Sequence, residues 1–436
     1  MKRFHNLEAR FQKDALLHGL YKDFIHDYIN QGHATVIDIS HYDLSSQPVY
    51  FLPHHPVLKL DKKTTKCRAV FDGSMKTSKK ISLNDLQLNG PVVQRELVDI
   101  LILFRVDEYF FIADIKNMFR KIKLDPKYRP LQNILWRDTP QDNIQCLQLN
   151  TVTYGLKSSS FLATRCLKEL ADRYKEDYPL AAEIIYNYMY VDDALVSHIS
   201  PERLIAASKQ LCMLLDIGGF QLHKWVSNLP DILHNIPKAQ QHFDDVDLEK
   251  NNSSLKTLGM NYNTKADSFI ITSPQMSAAI PKTKREILSF ISRFFDPLGL
   301  AGPIIVGAKV IMQKIWKSKI DWDAVPDNDI LNSWFEFYNS LSDMKPISIK
   351  RYVNLQNTSS AQIIGFADAA SSIAYGCCVY LRVIDPKGQV KVSLLCSKSR
   401  INPVNQSLTV PRLELNAALL LAKLVTRVHD ALAIKL

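Results

Sequence analysis

The stretch that constrains the chain most is Tyr186-Asn187-Tyr188-Met189-Tyr190-Val191-Asp192-Asp193-Ala194-Leu195-Val196-Ser197. Aromatic and β-branched residues flank two consecutive acids, a pattern that predicts two short strands joined by a tight turn with the carboxylates at its tip. Such a tip could hold a divalent metal. Asp is also an ordinary turn residue, so a solvated turn is the plain alternative. The rest of the chain decides between them, by supplying partners for Asp192 and Asp193 or not.

With 436 residues, 46% of them hydrophobic and 22% charged, the composition is that of a soluble globular protein. The length allows roughly two to four domains. Lys and Arg number 54 against 44 Asp and Glu, a net charge of +10 that fits either a polyanionic partner such as nucleic acid or a merely solvated basic surface. The seven cysteines (Cys67, Cys146, Cys166, Cys212, Cys377, Cys378, Cys396) are scattered and form no C-x-x-C pair. That argues against a zinc site and a disulfide framework, and for buried free thiols in a reducing compartment. The start, Met1-Lys2-Arg3-Phe4-His5, has no apolar signal core, and no apolar run approaches the roughly 18 residues of a membrane span. The expectation is a soluble, intracellular protein without a membrane partner.

Taken in order, residues 6–31 read as one amphipathic helix with Leu17, Tyr21, Phe24 and Tyr28 on one face and Gly32 as its stop. An edge strand or extended segment follows at Val49–Leu60, where the adjacent His54 and His55 point to opposite faces and so make a poor metal pair. Residues 59–80 are the most basic stretch. Within it Lys66, Arg68 and Val70 share one strand face, which is either a solvated edge or a phosphate cradle. Ser82–Asp85 reads as loop and Gln94–Phe104 as a helix. Tyr109–Asp114 is a buried strand ending in an acid, which is costly unless the acid is solvated, capping, paired with Lys116 or bound to metal. Two strands surround the turn at Thr139–Asn143. Gly155-Leu156-Lys157-Ser158-Ser159-Ser160 leads into a helix from Phe161, as N-cap chemistry or as room for a flat base. Helix 201–216 and a strand carrying Lys224 come next, with solvation the simple account of that lysine. After a polar stretch at 228–255, a hairpin at 255–272 and helices near 281–295, 302–319 and 328–342 are expected. The cations Lys282, Lys284, Arg285, Lys309, Lys314, Lys317 and Lys319 read as a solvated face. The last αβ unit has a strand ending at Asp368, two further strands and a helix carrying Glu414.

Four blocks now stand in order: a basic strand with Arg68, an acid-ended strand followed at the fifth position by Phe119, a glycine-serine turn into a helix, and the Tyr-Val-Asp-Asp hairpin. Their order resembles reverse transcriptases, specifically the polymerase of Pao/BEL-type long-terminal-repeat retrotransposons. Phe51-Leu52-Pro53-His54-His55, Arg68-Ala69-Val70-Phe71-Asp72, Ser82-Leu83-Asn84-Asp85, Ile134-Leu135-Trp136-Arg137, Thr151-Val152-Thr153-Tyr154-Gly155 and Phe161-Leu162-Ala163-Thr164 resemble further family stretches. The resemblance implies an α+β fold: a right-hand polymerase with fingers and palm over residues 1–245, thumb and connection over 246–355, and a partial ribonuclease H-like unit over 356–436. It implies RNA-directed DNA polymerase activity, with an RNA template, a DNA primer and deoxynucleoside triphosphates as partners. Two Mg²⁺ ions are the implied cofactor, with Mn²⁺ able to substitute. The implied location is cytoplasmic, including virus-like particles, with nuclear steps.

In that resemblance Asp114, Asp192 and Asp193 are the metal-binding catalytic acids, and Lys224 matches a lysine that protonates the leaving pyrophosphate. Lys66 and Arg68 would meet the triphosphate, Phe119 would stack under the sugar and exclude a 2′-hydroxyl, and Gly155 would line the nucleotide pocket. Ser160 departs from the pattern, since relatives usually carry proline there, which loosens the turn. Asp368 and Glu414 match the first two metal-binding acids of a ribonuclease H-like site. That unit looks truncated, so weak or absent RNA cleavage is expected. Residues 281–400 also resemble a segment described as a Pao retrotransposon peptidase, but no Asp-Thr-Gly or Asp-Ser-Gly triplet is present. Two readings compete with the polymerase: a catalytically decayed retroelement remnant that binds nucleic acid, and a peptidase or assembly module.

Overall fold

Two helices, Lys2–Lys13 and Ala15–Asn30, open the chain where the periodicity predicts one. The break is Asp14, whose backbone is extended and whose carboxylate accepts the Leu17 N–H, so it caps the second helix. The predicted face survives: Leu17, Tyr21, Phe24 and Tyr28 are buried, and Gly32 leaves the helix with φ +73°.

The computed structural model describes residues 1–43, 47–58, 66–241, 254–277, 279–356, 358–369, 371–404 and 408–433. Lysines 59, 62 and 63 of the basic stretch lie outside these. The chain divides into two compact units. One comprises Met1–Gln94, Ile115–Tyr186 and Gln210–Leu222, and the other Arg95–Asp114, Asn187–Lys209 and His223–Leu436.

In the first unit, the antiparallel strands Ala34–Ile37, Gln145–Leu149 and Asn133–Trp136 form one sheet, and His54–Leu58 pairs with Cys67–Phe71 in a two-stranded ribbon. Cys67, Ala69 and Phe71 turn inward onto Tyr21, Phe24, Trp136 and Leu147, while Arg68 faces out. His54 is buried, takes part in a 2.6 Å bond with the Tyr21 hydroxyl and donates to the Leu135 carbonyl. Burial pushes its pKa down to about 4, so it is a neutral core residue, whereas His55 is exposed. Two local expectations are corrected. Ser82-Leu83-Asn84-Asp85 is not loop but the start of the short helix Leu83–Leu86, closed by a reciprocal Ser82–Asp85 capping box. The helix Ser159–Tyr174 has Ser158 at its N-cap without a side-chain cap bond, its hydroxyl donating instead to Gln87 Oε1, while the Ser159 hydroxyl donates to the Thr153 carbonyl.

In the second unit, Met189–Tyr190, Asp193–His198, Tyr109–Ile115 and Leu222–Ser227 form a four-stranded sheet in that order. The first hairpin strand is shorter than expected, since Pro179–Asn187 is helical through Tyr186 and Asn187. The expected hairpin at 255–272 is three strands, Ser254–Thr257, Met260–Asn263 and Ser268–Ile271, joined by Ile347–Lys350 into an antiparallel sheet. Helices Lys284–Ile291, Gly302–Lys317 and Asn328–Ser342 enclose Phe290, Trp334 and Tyr338. Their cations are not all solvated: Lys284 is buried, with Nζ 4.1 Å from the Trp316 ring centroid and bonded to the Ile320 carbonyl, and Lys309 donates to the Ser399 carbonyl.

Strands Ser360–Asp368, Ala374–Ile384 and Val390–Ile401 complete the unit, covered by the helix Val410–Leu432. Cys377, Val379, Leu381 and Val383 alternate inward and share one core with Ile100, Phe104 and Phe110 and with Leu420 and Leu424 of that helix. Cys67, Cys146, Cys377 and Cys396 are buried, Cys166, Cys212 and Cys378 partly so, and all seven are free thiols. No helix among the described residues is long and apolar enough to cross a membrane.

Candidate functional site

The hairpin turns on Val191 and Asp192, because Tyr190 pairs with Asp193 across it. Val191 has φ +55°, in the left-handed region that favours glycine, and Asp192 does not share that sign. A β-branched residue in this region costs on the order of 1–3 kcal/mol. The strained turn leaves Asp192 at the tip and Asp193 as the first residue of the returning strand. Asp193 also pairs in register with Asp114 on the neighbouring strand. Like charges directly opposed across a ladder repel.

Lys224 answers part of that charge. Its Nζ donates to Asp114 Oδ2 at 2.5 Å. Its neighbour His223 donates from Nδ1 to the Asp114 carbonyl at 2.8 Å, with the same nitrogen 3.6 Å from Asp114 Oδ1. Of the alternatives left open for Asp114, an ion pair is what forms, but with Lys224 rather than Lys116, and Lys224 is not simply solvated. The lysine has φ +55°, a second non-glycine residue in the left-handed region at the same place. The Asp193 carboxyl is pushed up to about 7, first by burial and then by the charges of Asp192 and Asp114, with Lys224 opposing. Among the described residues no three His, Cys, Asp or Glu side chains stand in an arrangement that holds a metal ion. The acids are therefore neighbours in charge and register, with Asp114 held by an ammonium.

The nucleotide-side residues of the sequence reading lie in the first unit. Lys66 is exposed just before the strand Cys67–Phe71, and Arg68 is exposed within it. Phe119 sits half-buried in the one-turn helix Met118–Lys121, entered through Asn117 at φ +54°. Gly155 has φ +91°, and a Cβ there would stand 2.2 Å from the Phe71 carbonyl oxygen, so backbone geometry alone demands glycine. Asp368 ends its strand exposed, its carboxylate accepting the Ala369 N–H at 2.7 Å, and Glu414 is exposed near the start of the last helix.

Two participants were not singled out from the sequence. His223 gave no signal beyond lying next to Lys224. Tyr154 was part of the Thr-Val-Thr-Tyr-Gly stretch, and its ring meets that of Phe119 edge-on, centroids 6.4 Å apart.

Residues 62–224 match the family model for reverse transcriptase (RNA-dependent DNA polymerase), a span that contains Asp114, Asp192, Asp193 and Lys224. Residues 283–436 match the model for the Pao retrotransposon-like RNaseH-like domain. A search of curated proteins gave no match. Among solved structures, the foamy viral protease-reverse transcriptase dRH in complex with double-stranded DNA aligns over 95% of this chain at 16% identity and a TM-score of 0.55. The foamy viral protease-reverse transcriptase in complex with an RNA/DNA hybrid aligns over 93% at 14% identity and a TM-score of 0.53. The chain spans 60% of the first and 45% of the second. In a fold of mixed helices and sheets, the chain is thus similar to reverse transcriptases over residues 62–224 and, following them, to the Pao retrotransposon-like RNaseH-like domain over residues 283–436.

Proposed function

We propose that the chain is an RNA-directed DNA polymerase of a retroelement, extending a DNA primer along an RNA template with deoxynucleoside triphosphates. The observation that carries this reading is the register pairing of Asp114 with Asp193 beside Asp192 at the turn, inside the residues matched by the reverse transcriptase model. The donor set fits a hard divalent cation. Its groups are carboxylate oxygens, and the Asp193 carboxyl, raised first by burial and then by the charges of Asp192 and Asp114, stands where a bound cation would favour its ionised form. Two Mg²⁺ ions, or Mn²⁺ in their place, when bound supply activation of the primer 3′-hydroxyl and stabilisation of the triphosphate.

The chain's own groups have separate tasks in this reading. Asp114, Asp192 and Asp193 hold the cations, and Lys224, released from Asp114, carries the proton for the leaving pyrophosphate. Lys66 and Arg68 offset triphosphate charge, Phe119 excludes a 2′-hydroxyl, and Gly155 gives the base a flat approach. Residues 1–245 act as fingers and palm, 246–355 as thumb and connection, and 356–436 as the ribonuclease H-like end, where Asp368 and Glu414 are the candidate acids. The foamy viral relatives are complexes with duplex DNA and with an RNA/DNA hybrid, and the net charge of +10 suits such polyanions.

Primer extension on an RNA template tests the proposal. Mg²⁺-dependent extension is expected from the native sequence, with a loss of at least about 10³-fold in Asp192→Asn; normal extension by that variant sinks it. A decayed remnant is the second reading, favoured by the Lys224–Asp114 ion pair and by the lack of a three-ligand group among the described residues. It predicts salt-sensitive duplex binding without extension at any Mg²⁺ or Mn²⁺ concentration.

A further inference from the structure

Phe119 is poorly held by its own element. The helix Met118–Lys121 is a single turn, and Asn117 at its N-cap makes no side-chain cap bond. A ring that is to exclude one hydroxyl must nevertheless stay where it is to within a fraction of its own thickness. Its support is aromatic. The Tyr154 ring meets it at 6.4 Å and 65°. Tyr154 stands 5.3 Å from Phe71, Phe71 stands 6.4 Å from Tyr28, and Tyr28 stands 5.5 Å from Phe24. The inner three rings are buried, so the series runs from the core of the first unit out to Phe119.

A second strap lies beside it. Arg120, next to Phe119 in sequence, sets its guanidinium 4.6 Å from the Tyr28 ring centroid and 5.0 Å from that of Phe24. Burial raises the pKa of the Tyr154 phenol, and the nearby positive charge of Arg120 lowers it. Gly155, the next residue, packs its backbone so closely on Phe71 that a Cβ there would stand 2.2 Å from the Phe71 carbonyl oxygen, and the Tyr154 ring itself lies against the buried Phe71 ring. Phe119 thus rests on a ring whose other side is fixed to the core.

We infer that Tyr154 is a positioning residue for sugar selection: its ring fixes the height of Phe119 and thereby the discrimination between deoxyribonucleoside and ribonucleoside triphosphates. The inference rests on the polymerase reading and on Phe119 as the residue that excludes the 2′-hydroxyl. Tyr154 acts through Phe119, so its effect vanishes when Phe119 has no ring to position.

Single-nucleotide extension by the full chain, with dATP and ATP opposite the same template base, tests this. In Tyr154→Leu the ratio of kcat/KM for dATP over ATP is expected to fall by roughly tenfold, through faster use of ATP, with kcat for dATP within about threefold of the native value. Tyr154→Phe keeps the ring and should restore the native ratio. In a Phe119→Ala background, Tyr154→Leu should change the ratio no further, a non-additivity that simple loss of stability does not produce. Should Tyr154→Leu not fold, Tyr154→Met keeps the volume without the flat ring and is read the same way. An unchanged ratio, a parallel fall for both nucleotides, or full additivity with Phe119→Ala overturns the inference while leaving the polymerase reading intact. A native chain that extends no primer overturns both.

Discussion

Asp193 sits opposite Asp114, beside Asp192 and largely out of water, and its carboxyl is pushed up to about 7. The ordinary value in an unfolded chain is about 3.9. Between those values the folded chain binds a proton that the unfolded chain has lost, so stability falls as pH rises through this window and stays low above it. Asp193→Asn removes the titration. In chelator-treated protein the Tm of this variant should exceed the native Tm by an amount that grows from pH 4 to pH 7 and then levels off; a difference independent of pH would show that Asp193 is not held protonated. Lys224 works the other way, as a built-in counter-charge. Lys224→Met leaves Asp114 facing Asp193 without its ammonium and should move the midpoint of that same titration upward.

At the scale of the element, Gly155 shows how a motif residue can have a backbone cause. With φ +91° and no room for a Cβ beside Phe71, Gly155→Ala should lower stability by roughly 1–3 kcal/mol in chemical denaturation, whether or not a nucleotide is present. The periodic elements were legible in the sequence because their burial follows their pattern: Leu17, Tyr21, Phe24 and Tyr28 on the second helix, or Cys377, Val379, Leu381 and Val383 on their strand. Breaks within a pattern were not. Asp14 interrupts a continuous apolar stripe by capping, which periodicity does not register, and Ser82 with Asp85 spelled a capping box inside what composition alone reads as loop. For the site, the acids were legible as neighbours within motifs. Their pairing partners were not, since Lys224 reaches Asp114 only through the register of strands far apart in sequence. Lys284, counted among solvated cations, is buried against Trp316 and Trp322 because its long stem and ammonium both find partners there.

For the molecule as a whole, two buried arginines that the sequence did not mark join distant segments of the second unit. Arg351 is 0% exposed, forms a two-pronged ion pair with Asp267, and donates to the carbonyls of Phe104, Asp107 and Glu108. Arg105, 1% exposed, returns the contact through the carbonyls of Arg351, Lys350, Leu394 and Leu395. Arg351→Ala should cost about 3–5 kcal/mol, because it strands Asp267 and three carbonyls without their donor. The measurement is the unfolding midpoint of the full chain, and a loss under about 1 kcal/mol would mean the network is redundant.

The same unit is discontinuous, assembled from Arg95–Asp114, Asn187–Lys209 and everything from His223 onward. Its core joins Ile100 and Phe110 to Val379 and Leu424. During synthesis, the strand bearing Asp114 therefore leaves the ribosome some 240 residues before the Arg351 guanidinium that fastens it, and longer before the last helix that covers its core. The acidic hairpin can pair with that strand early, but the apolar side of their sheet stays open until the RNaseH-like residues emerge. Nascent chains halted before residue 350 should expose that surface to protease, so in this protein the part that comes last in sequence finishes the folding of the part that carries the acids.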